Sequence, residues 1–363
     1  MAGDVVQPGE KMFHYRLYLT LLSLFLIGMG NVCAEEPVVR QANDEDVEKT
    51  ATKLLKVDPA EPLIAAYSFN KATEYLDRSS LAWTQKYKCF TCHTNFIHLM
   101  ATADLQHRPK HFDQVKSALD TMVTKRWKEK GPRWDAEVIM SATALAFVDR
   151  SDQNKLSATT KMALDRIWTV QRKDGGFDWL QCDWPPMESD DEYGAAIAAV
   201  GLSAAPENYI RSESAKAGVN RLTQYIQTHG LARLHHRALL IWADSLGGDW
   251  ISDKETNVVV KEILQLQNQD GGWNSPSLGK WKREDGQKTD KKSDGYGTGF
   301  ALFILQKAGL DKDHKAIQNG VAWLKNNQRA SGRWFTRSMS RDNRHYLTNA
   351  GTAMAILALS EYE

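Results

Sequence analysis

The sequence predicts an all-α domain made of six helical hairpins. From about Pro59 onward, helical segments alternate with loops that contain Gly and Pro, while the apolar–polar alternation typical of strands is scarce. The first helices of the six pairs are expected at residues 60–82, 110–129, 157–171, 212–228, 254–268 and 313–327. The second helices are expected at residues 93–107, 135–149, 190–204, 235–246, 294–308 and 345–361. The domain is therefore expected to span residues 59–363.

The first 34 residues have the pattern of a secretory signal peptide. Lys11 and Arg16 precede an apolar run from Leu17 to Met29, and Val32-Cys33-Ala34 supplies the small residues of a cleavage site. The apolar run is short for a membrane span, which takes roughly 20 residues, so an uncleaved anchor is the less favoured alternative. We expect cleavage near Ala34 and a periplasmic or secreted protein, with Met12 as an alternative start.

Composition limits the classes of partner. Residues 35–58 are polar and charged and are expected to be a flexible lead-in to the folded domain. The 363 residues are 42% hydrophobic, which is ample for a large core. The 46 Lys and Arg residues balance the 45 Asp and Glu residues, so the net charge shows no nucleic-acid footprint.

The stretch Cys89-Phe90-Thr91-Cys92-His93 carries the clearest chemical signal. Cys-x-x-Cys-His is the attachment motif for c-type haem, in which two thiols form thioethers with the haem vinyl groups and the His becomes an axial iron ligand. In an exported protein the remaining cysteine is then Cys182. A disulfide or redox pair is one alternative for Cys89 and Cys92, and a metal site is another, although no second ligand pair at zinc-site spacing follows.

The sixth iron ligand is open at this point. The candidates that could approach the haem in space are Met187, His235, His236 and His345, of which Met187, His235 and His345 are the ones favoured. A site left five-coordinate would favour small-molecule or redox chemistry at iron. A compact cytochrome c domain over residues 60–150 is a rival layout, but the residues before the motif read like the first helix of the later hairpins.

An internal repeat links the later hairpins. Its copies are Gln171-Arg172-Lys173-Asp174-Gly175-Gly176-Phe177, Gln267-Asn268-Gln269-Asp270-Gly271-Gly272-Trp273 and the degraded Gln328-Arg329-Ala330-Ser331-Gly332-Arg333-Trp334. The Gln ends a helix, the glycines permit a left-handed exit, and the aromatic residue packs back onto the hairpin. A helix rich in small residues follows each copy, so these second helices are expected to crowd together as an inner ring.

These blocks resemble the QW repeats of squalene–hopene cyclases. Over residues 60–361 the chain resembles the α/α toroids of terpenoid cyclases and protein prenyltransferase β subunits, which implies an (α/α)6 toroid. In such a ring the loops that enter the inner helices share one face. The haem motif at the first inner helix would therefore lie at the same mouth as the starts of the other inner helices.

Glu188-Ser189-Asp190-Asp191 is similar to the Asp-x-Asp-Asp motif of class II terpene cyclases. The resemblance implies that Asp190 is the acid that protonates an alkene and that Asp191 is its neighbour. The Glu at the first position departs from the family pattern, and the chain is too short for the second helical domain of those enzymes. Of the prenyltransferase zinc ligands, only His345 is suitably placed. Because acidic residues often cap helices, a purely structural role for Asp190 also fits.

Three functions follow as expectations. The first is an exported toroid with one covalent haem c at its mouth and a redox or electron-transfer role, which would involve a redox partner protein and an apolar, isoprenoid-like ligand. The second is a cyclase-type isomerase that uses Asp190 as its acid. The third is a binding toroid without catalytic activity.

Overall fold

The computed structural model describes residues 54–342 and 344–363. Within these residues the elements are helices joined by loops, together with two isolated bridges, Leu63 with Arg329 and Trp184 with Glu188. The all-α prediction is confirmed. The predicted signal peptide and nearly all of the predicted lead-in lie outside the described residues. In the part of the chain that is described, no helix is both long and apolar enough to cross a membrane.

The helices form the six predicted pairs. The outer helices are α1 Phe69–Tyr87, α3 Phe112–Thr121, α5 Ala158–Val170, α7 Glu213–His229, α9 Asp253–Gln265 and α11 Lys315–Asn327. The inner helices are α2 Ile97–Thr102, α4 Asp135–Asp152, α6 Asp191–Ala204, α8 Leu234–Ser245, α10 Gly295–Lys307 and α12 Leu347–Leu359. A π-helical turn, Cys92–Phe96, leads into α2, and further turns through Lys130 extend α3.

The inner helices close a ring. Each of α2, α4, α6, α8, α10 and α12 packs against the next, and α12 packs against α2. Small residues permit this proximity. At Gly299 on α10, an added Cβ would lie 2.6 Å from the backbone nitrogen of Ala355 on α12. The inner helices are buried on nearly every side, whereas the outer helices bury only one face.

Capping residues account for several helix starts. The hydroxyls of Ser157 and Ser252 accept hydrogen bonds from backbone N–H groups in the first turns of α5 and α9. Ser252 and Glu255 form a reciprocal capping box. Asp190 and Asp294 cap the inner helices α6 and α10 in the same manner. The structural role considered for Asp190 is therefore present.

The first helix begins later than the sequence pattern predicts. It was expected to begin at residue 60, but α1 starts at Phe69, after its cap Ser68. The preceding segment is extended because it pairs with the last repeat: the Ile64 N–H donates to Gln328 O at 2.9 Å. Pro59 and Pro62 also disfavour a helix interior there. This pairing joins the first hairpin to the last.

The repeat glutamines join neighbouring hairpins. The Nε2 of Gln267 donates to Gly271 O within its own loop and to Ala316 O in the next outer helix, both at 2.9 Å. Gln171 makes the equivalent pair of bonds to its own loop and to α7. Gln328 bonds its own loop and Ser68 O, both at 2.8 Å. The degraded third copy thus closes the ring.

Replacing Gln267 with Ala should lower the free energy of unfolding by about 2 kcal/mol. The substitution removes two hydrogen bonds and leaves the Gly271 and Ala316 carbonyls without this donor. Chemical denaturation measures the change. The control is Gln265→Ala, at the exposed last residue of α9, two positions before Gln267. Its stability should remain within about 0.5 kcal/mol of the wild type. Equal effects of the two substitutions would contradict the joining role of Gln267.

Candidate functional site

The Cys-x-x-Cys-His segment forms the passage from α1 to the first inner helix. Helix α1 is capped by Lys88, the residue after Tyr87, which has a left-handed backbone with φ of 51°. Asn95 then anchors the π-helical turn, because its side-chain amide donates to Ser80 O at 3.0 Å and to Thr84 Oγ1 at 2.7 Å, both on α1. The orientation of His93 is therefore set by the packing of its turn against α1.

His93 is buried and held at one ring nitrogen. Its Nδ1 lies 2.9 Å from Thr94 Oγ1, and that hydroxyl accepts a hydrogen bond from Asn349 Nδ2 at 3.0 Å. Burial lowers the pKa of His93 to about 3, so the imidazole is neutral. In the tautomer with its proton on Nδ1, the lone pair of Nε2 is available to a metal. Hydrogen bonding of the other nitrogen is the usual second-shell support of a ligating His.

Aromatic rings enclose His93. Tyr346 stacks on it with ring centroids 5.2 Å apart and an interplanar angle of 13°. Trp83 and Trp184 approach edge-on, at 5.0 Å and 6.2 Å between centroids. Arg344 in turn covers the Trp184 ring, with its guanidinium carbon 5.6 Å from the centroid. The side chain is thus shielded from water by rings contributed by three segments of the chain.

Beside His93 lies a small cavity, here called the mouth cavity. Its lining residues are His93, Trp184, Pro185, Met187, Glu188, Ser338, Met339, Arg344, Tyr346 and Leu347. Its volume of about 20 Å³ is enough for a single water. A porphyrin ring does not fit in this closed arrangement.

Of the sixth-ligand candidates, the structure brings Met187 to His93. Both line the mouth cavity, together with Met339, which the sequence analysis missed. Met339 lies in the loop that enters α12, and the convergence of such loops at one mouth was the signal that could have found it. His345 is held elsewhere: its Nδ1 accepts the Ser338 N–H at 3.1 Å, and its ring contacts Phe335. His235 is within the ring and does not line the cavity.

Both thiols of the motif are free. Cys89 is partly exposed, Cys92 is buried, and no disulfide joins them. Burial raises the pKa of both thiols, although a hydrogen bond with Trp83 partly opposes this at Cys89. Among the described residues, no cluster of three or more His, Cys, Asp or Glu side chains could hold a metal ion. Because both thiols are free, this structure does not have the Cys89–Cys92 disulfide that was one alternative for the motif.

Asp190 is arranged as an ionised carboxylate. Its Oδ2 lies 3.1 Å from Arg233 Nε and accepts the Ser189 hydroxyl at 3.0 Å, while Oδ1 accepts the Tyr193 N–H at 3.1 Å. His236 Nε2 lies 3.0 Å from Oδ1. Burial opposes ionisation, but the contacts with His236, Tyr193 and Ser189 outweigh it and hold the pKa of Asp190 well below its usual range. A general acid needs the protonated form, which this environment disfavours.

Aromatic and imidazole side chains fill the interior of the inner-helix ring next to Asp190. His236 Nδ1 lies 3.1 Å from His235 Nδ1, and His235 Nε2 lies 2.7 Å from the hydroxyl of Tyr296. His235 also stacks on Phe300, with centroids 4.3 Å apart. All of these side chains are buried. They occupy the space that an apolar substrate below Asp190 would require.

Asp191 and Glu188 differ from Asp190. Asp191 pairs with Arg172 and also accepts the Trp179 N–H at 3.1 Å, so it anchors the long loop between α5 and α6. Glu188 is buried, and burial raises its pKa to about 7. The group at the mouth that is poised to change protonation near neutral pH is therefore Glu188, which the sequence comparison treated as a departure from the cyclase motif.

Comparisons with known proteins agree with the cyclase-like repeats. Residues 244–359 match the squalene–hopene cyclase C-terminal domain family. The squalene–hopene cyclase of Zymomonas mobilis subsp. mobilis (strain ATCC 31821 / ZM4 / CP4) is 37% identical over 84 residues, which cover 23% of this chain and only 11% of that enzyme.

Two solved structures are similar over most of the chain. The first is a polysaccharide lyase, and the match covers 87% of this chain and 95% of the lyase. The second is a possible member of the GH105 family from Klebsiella pneumoniae subsp. pneumoniae MGH 78578, and the match covers 91% of this chain and 95% of that protein. Each has 11% sequence identity and a TM-score of 0.34.

Fold and repeats together define the class: the chain is a cyclase-like α/α toroid. Its C-terminal third is similar to the C-terminal domain of squalene–hopene cyclases. Neither Asp190 nor the Cys-x-x-Cys-His segment lies within that matched region.

Proposed function

We propose that this protein is an exported toroid that holds one covalent c-type haem at its mouth through Cys89, Cys92 and His93. The observation that carries the proposal is His93 itself, a buried neutral imidazole directly after two unbridged thiols, with its Nδ1 beside Thr94. These are the two thiols and the iron ligand that a c-type haem requires, in the order that its attachment requires.

Binding of the macrocycle requires the mouth to open. The cavity of about 20 Å³ is closed by the loop that carries Trp184 and Met187. This loop is held by the backbone pair of Trp184 and Glu188, with Glu188 N–H donating to Trp184 O at 3.0 Å, and by Arg344 above the indole. Displacement of this loop from His93 would widen the site without disturbing the inner ring.

The residues around the site support an electron-transfer role. A bound haem would supply a one-electron couple. Met187 and Met339 offer thioether sulfurs on the wall of the cavity that His93 also lines, and a Met ligand opposite His is an arrangement that cytochromes c use. Trp83 and Tyr346, which lie outside the loop that must move, pack against His93 and shield it from water. We propose a redox partner protein that docks at this mouth.

Covalent haem is tested by co-expression with a cytochrome c maturation system. We expect a haemochrome spectrum that survives denaturation and a protein mass increased by one haem. Both signals should be lost in Cys89→Ala/Cys92→Ala. His93→Ala should retain attached haem but change its axial-ligand spectrum. Absence of covalent haem in the wild type, or its retention in the double variant, would refute the proposal.

The sixth ligand has its own readout. If a thioether binds iron, either Met187→Leu or Met339→Leu should abolish the absorption band of Met ligation, while the haem stays attached. Met162→Leu, on the exposed face of α5, is the matched control and should leave the band unchanged. Retention of the band in both variants would rule out these two residues as ligands.

Cyclase-type isomerisation is the second candidate, and the match of residues 244–359 to the cyclase domain favours it. Its weakness is the ionised Asp190 above a filled ring. Incubation with squalene and analysis of the products tests it. A cyclised product that is lost in Asp190→Asn would favour this candidate over the redox role.

A further inference from the structure

A second cavity lies between the fifth and sixth hairpins, and its chemistry differs from that of the mouth. Its volume is about 260 Å³, and it extends from Asp294 at the start of α10 to Trp323 on α11. Arg283 and Arg337, from the two loops that enter α10 and α12, form another wall. We call it the Arg283 cleft. It shares Ser338 and Met339 with the mouth cavity, but its basic side chains take no part in the haem proposal or the cyclase alternative.

Two guanidinium groups of the cleft are fixed in place. Arg283 is only 5% exposed; its Nε donates to Asp285 at 2.9 Å and one Nη donates to Ser338 O. Arg337 binds Asp342 through Nε and Nη2, both at 2.6 Å. Because these carboxylates neutralise them, Arg283 and Arg337 supply rigid N–H donors rather than free charge.

The other two cations of the cleft are not neutralised in this way. No ion pair joins Lys292 or Arg329 to a carboxylate in residues 54–342 or 344–363. Arg329 is instead oriented by a bond from Nη1 to the backbone O of Glu61 at 2.5 Å. A cation held by a neutral carbonyl keeps its charge available to a ligand.

The two acidic groups of the cleft are held by neutral hydrogen-bond donors near the start of α10. Asp294 is occupied with its own helix, since it accepts hydrogen bonds from Ser275 N and Oγ at 2.7 and 2.6 Å and from Gly297 N at 2.9 Å. Asp290 accepts the backbone N–H of Lys292 at 3.0 Å. The cleft therefore holds two cations without a carboxylate partner among the described residues, Lys292 and Arg329, and two carboxylates that are fixed by backbone N–H groups.

The remaining walls are suited to a hydroxylated ring. Trp323 and Phe335 contribute flat apolar surface, while Thr289, Ser293 and Asn327 contribute short polar groups. The volume is just below the ~300–1,000 Å³ typical of ligand pockets, which suits one small ring rather than a chain. A wholly apolar ligand would leave the guanidinium and hydroxyl groups without partners.

We propose that the Arg283 cleft binds a small hydroxylated anion, namely a single sugar that carries a carboxylate or a phosphate. The anionic group would pair with Lys292 and Arg329, the hydroxyls would bond the polar wall, and the ring would lie against Trp323. Carboxylate and phosphate both present a pair of oxygens that a guanidinium can bind bidentately, so the experiment must distinguish them.

The test is isothermal titration of the full chain with glucuronate, glucose 6-phosphate, inorganic phosphate and neutral glucose. We expect at least one anionic sugar to bind in the micromolar to millimolar range and more tightly than glucose or phosphate. Lys292→Gln/Arg329→Gln should weaken that binding by about tenfold or more, since it removes both unneutralised cations.

The control is Lys291→Gln, which removes one positive charge from the exposed residue next to Lys292 that does not line the cleft. Its affinity should match that of the wild type, and thermal melts should show that all variants remain folded. Three results would overturn the proposal: no anionic sugar binds, the double variant binds as the wild type does, or phosphate alone binds as tightly as the sugar phosphate.

Discussion

Replacing Gly299 with Ala should destabilise the protein by about 2 kcal/mol, although Ala is the better helix former. The new Cβ would lie 2.6 Å from Ala355 N and 2.8 Å from Met354 C. Both are backbone atoms of the neighbouring inner helix, so no side chain can rotate to make room. Overpacking of this kind costs about 1–3 kcal/mol or more, which exceeds the gain in helix propensity of about 1 kcal/mol.

Chemical denaturation of the variant measures this loss. Asn326→Ala, at an exposed position on the outer helix α11, is the control and should be neutral or slightly stabilising. If Gly299→Ala is as stable as the wild type, α10 and α12 can separate without loss, and the close contact between them is not what fixes the inner ring.

Replacing Glu188 with Gln should change how stability depends on pH. Burial raises the folded-state pKa of Glu188 to about 7, above the ordinary value of about 4.3 for an unfolded Glu. Between these two values the folded state binds the proton more tightly. Wild-type stability should therefore fall as pH rises from about 4.5 to 7, by an amount on the order of 2 kcal/mol from this group.

In Glu188→Gln, the free energy of unfolding should no longer show this part of the fall with pH. The variant should therefore be more stable than the wild type at pH 8. The comparison isolates Glu188 because Asp294, whose pKa burial also raises to about 6, is present in both proteins. Denaturation midpoints measured from pH 4.5 to 8 give the two curves. Glu129→Gln removes an exposed carboxylate and serves as the control. Parallel curves for the wild type and Glu188→Gln would contradict a buried carboxyl at the mouth.

Periodic features of the fold were readable from the sequence, and contacts that depend on distant segments were not. The repeats after Gln171 and Gln267 predicted the later hairpins because each glutamine acts within its own loop as well as on its neighbour. The start of α1 was predicted too early because the extended segment before it is set by pairing with Gln328, 264 positions away along the chain.

The same distinction applies to the candidate site. The motif from Cys89 to His93 is local and was visible at once. The low pKa of Asp190 depends in part on His236, which lies on a different hairpin, so the short motif around Asp190 could suggest an acid where the folded protein has an ionised cap. Met339 escaped notice because nothing near it in sequence indicates that it shares a cavity with His93.

The bond from Gln328 to Ser68 has a consequence for biogenesis. The two residues are 260 positions apart, so the seam that completes the ring cannot form until nearly the whole domain has been made. Until then, a growing chain displays one uncovered hairpin flank at its beginning and another at its advancing end. Such late, non-local closure slows folding and leaves aggregation-prone apolar surface exposed. The toroid is therefore expected to depend on chaperones during synthesis more than a linear stack of the same hairpins would.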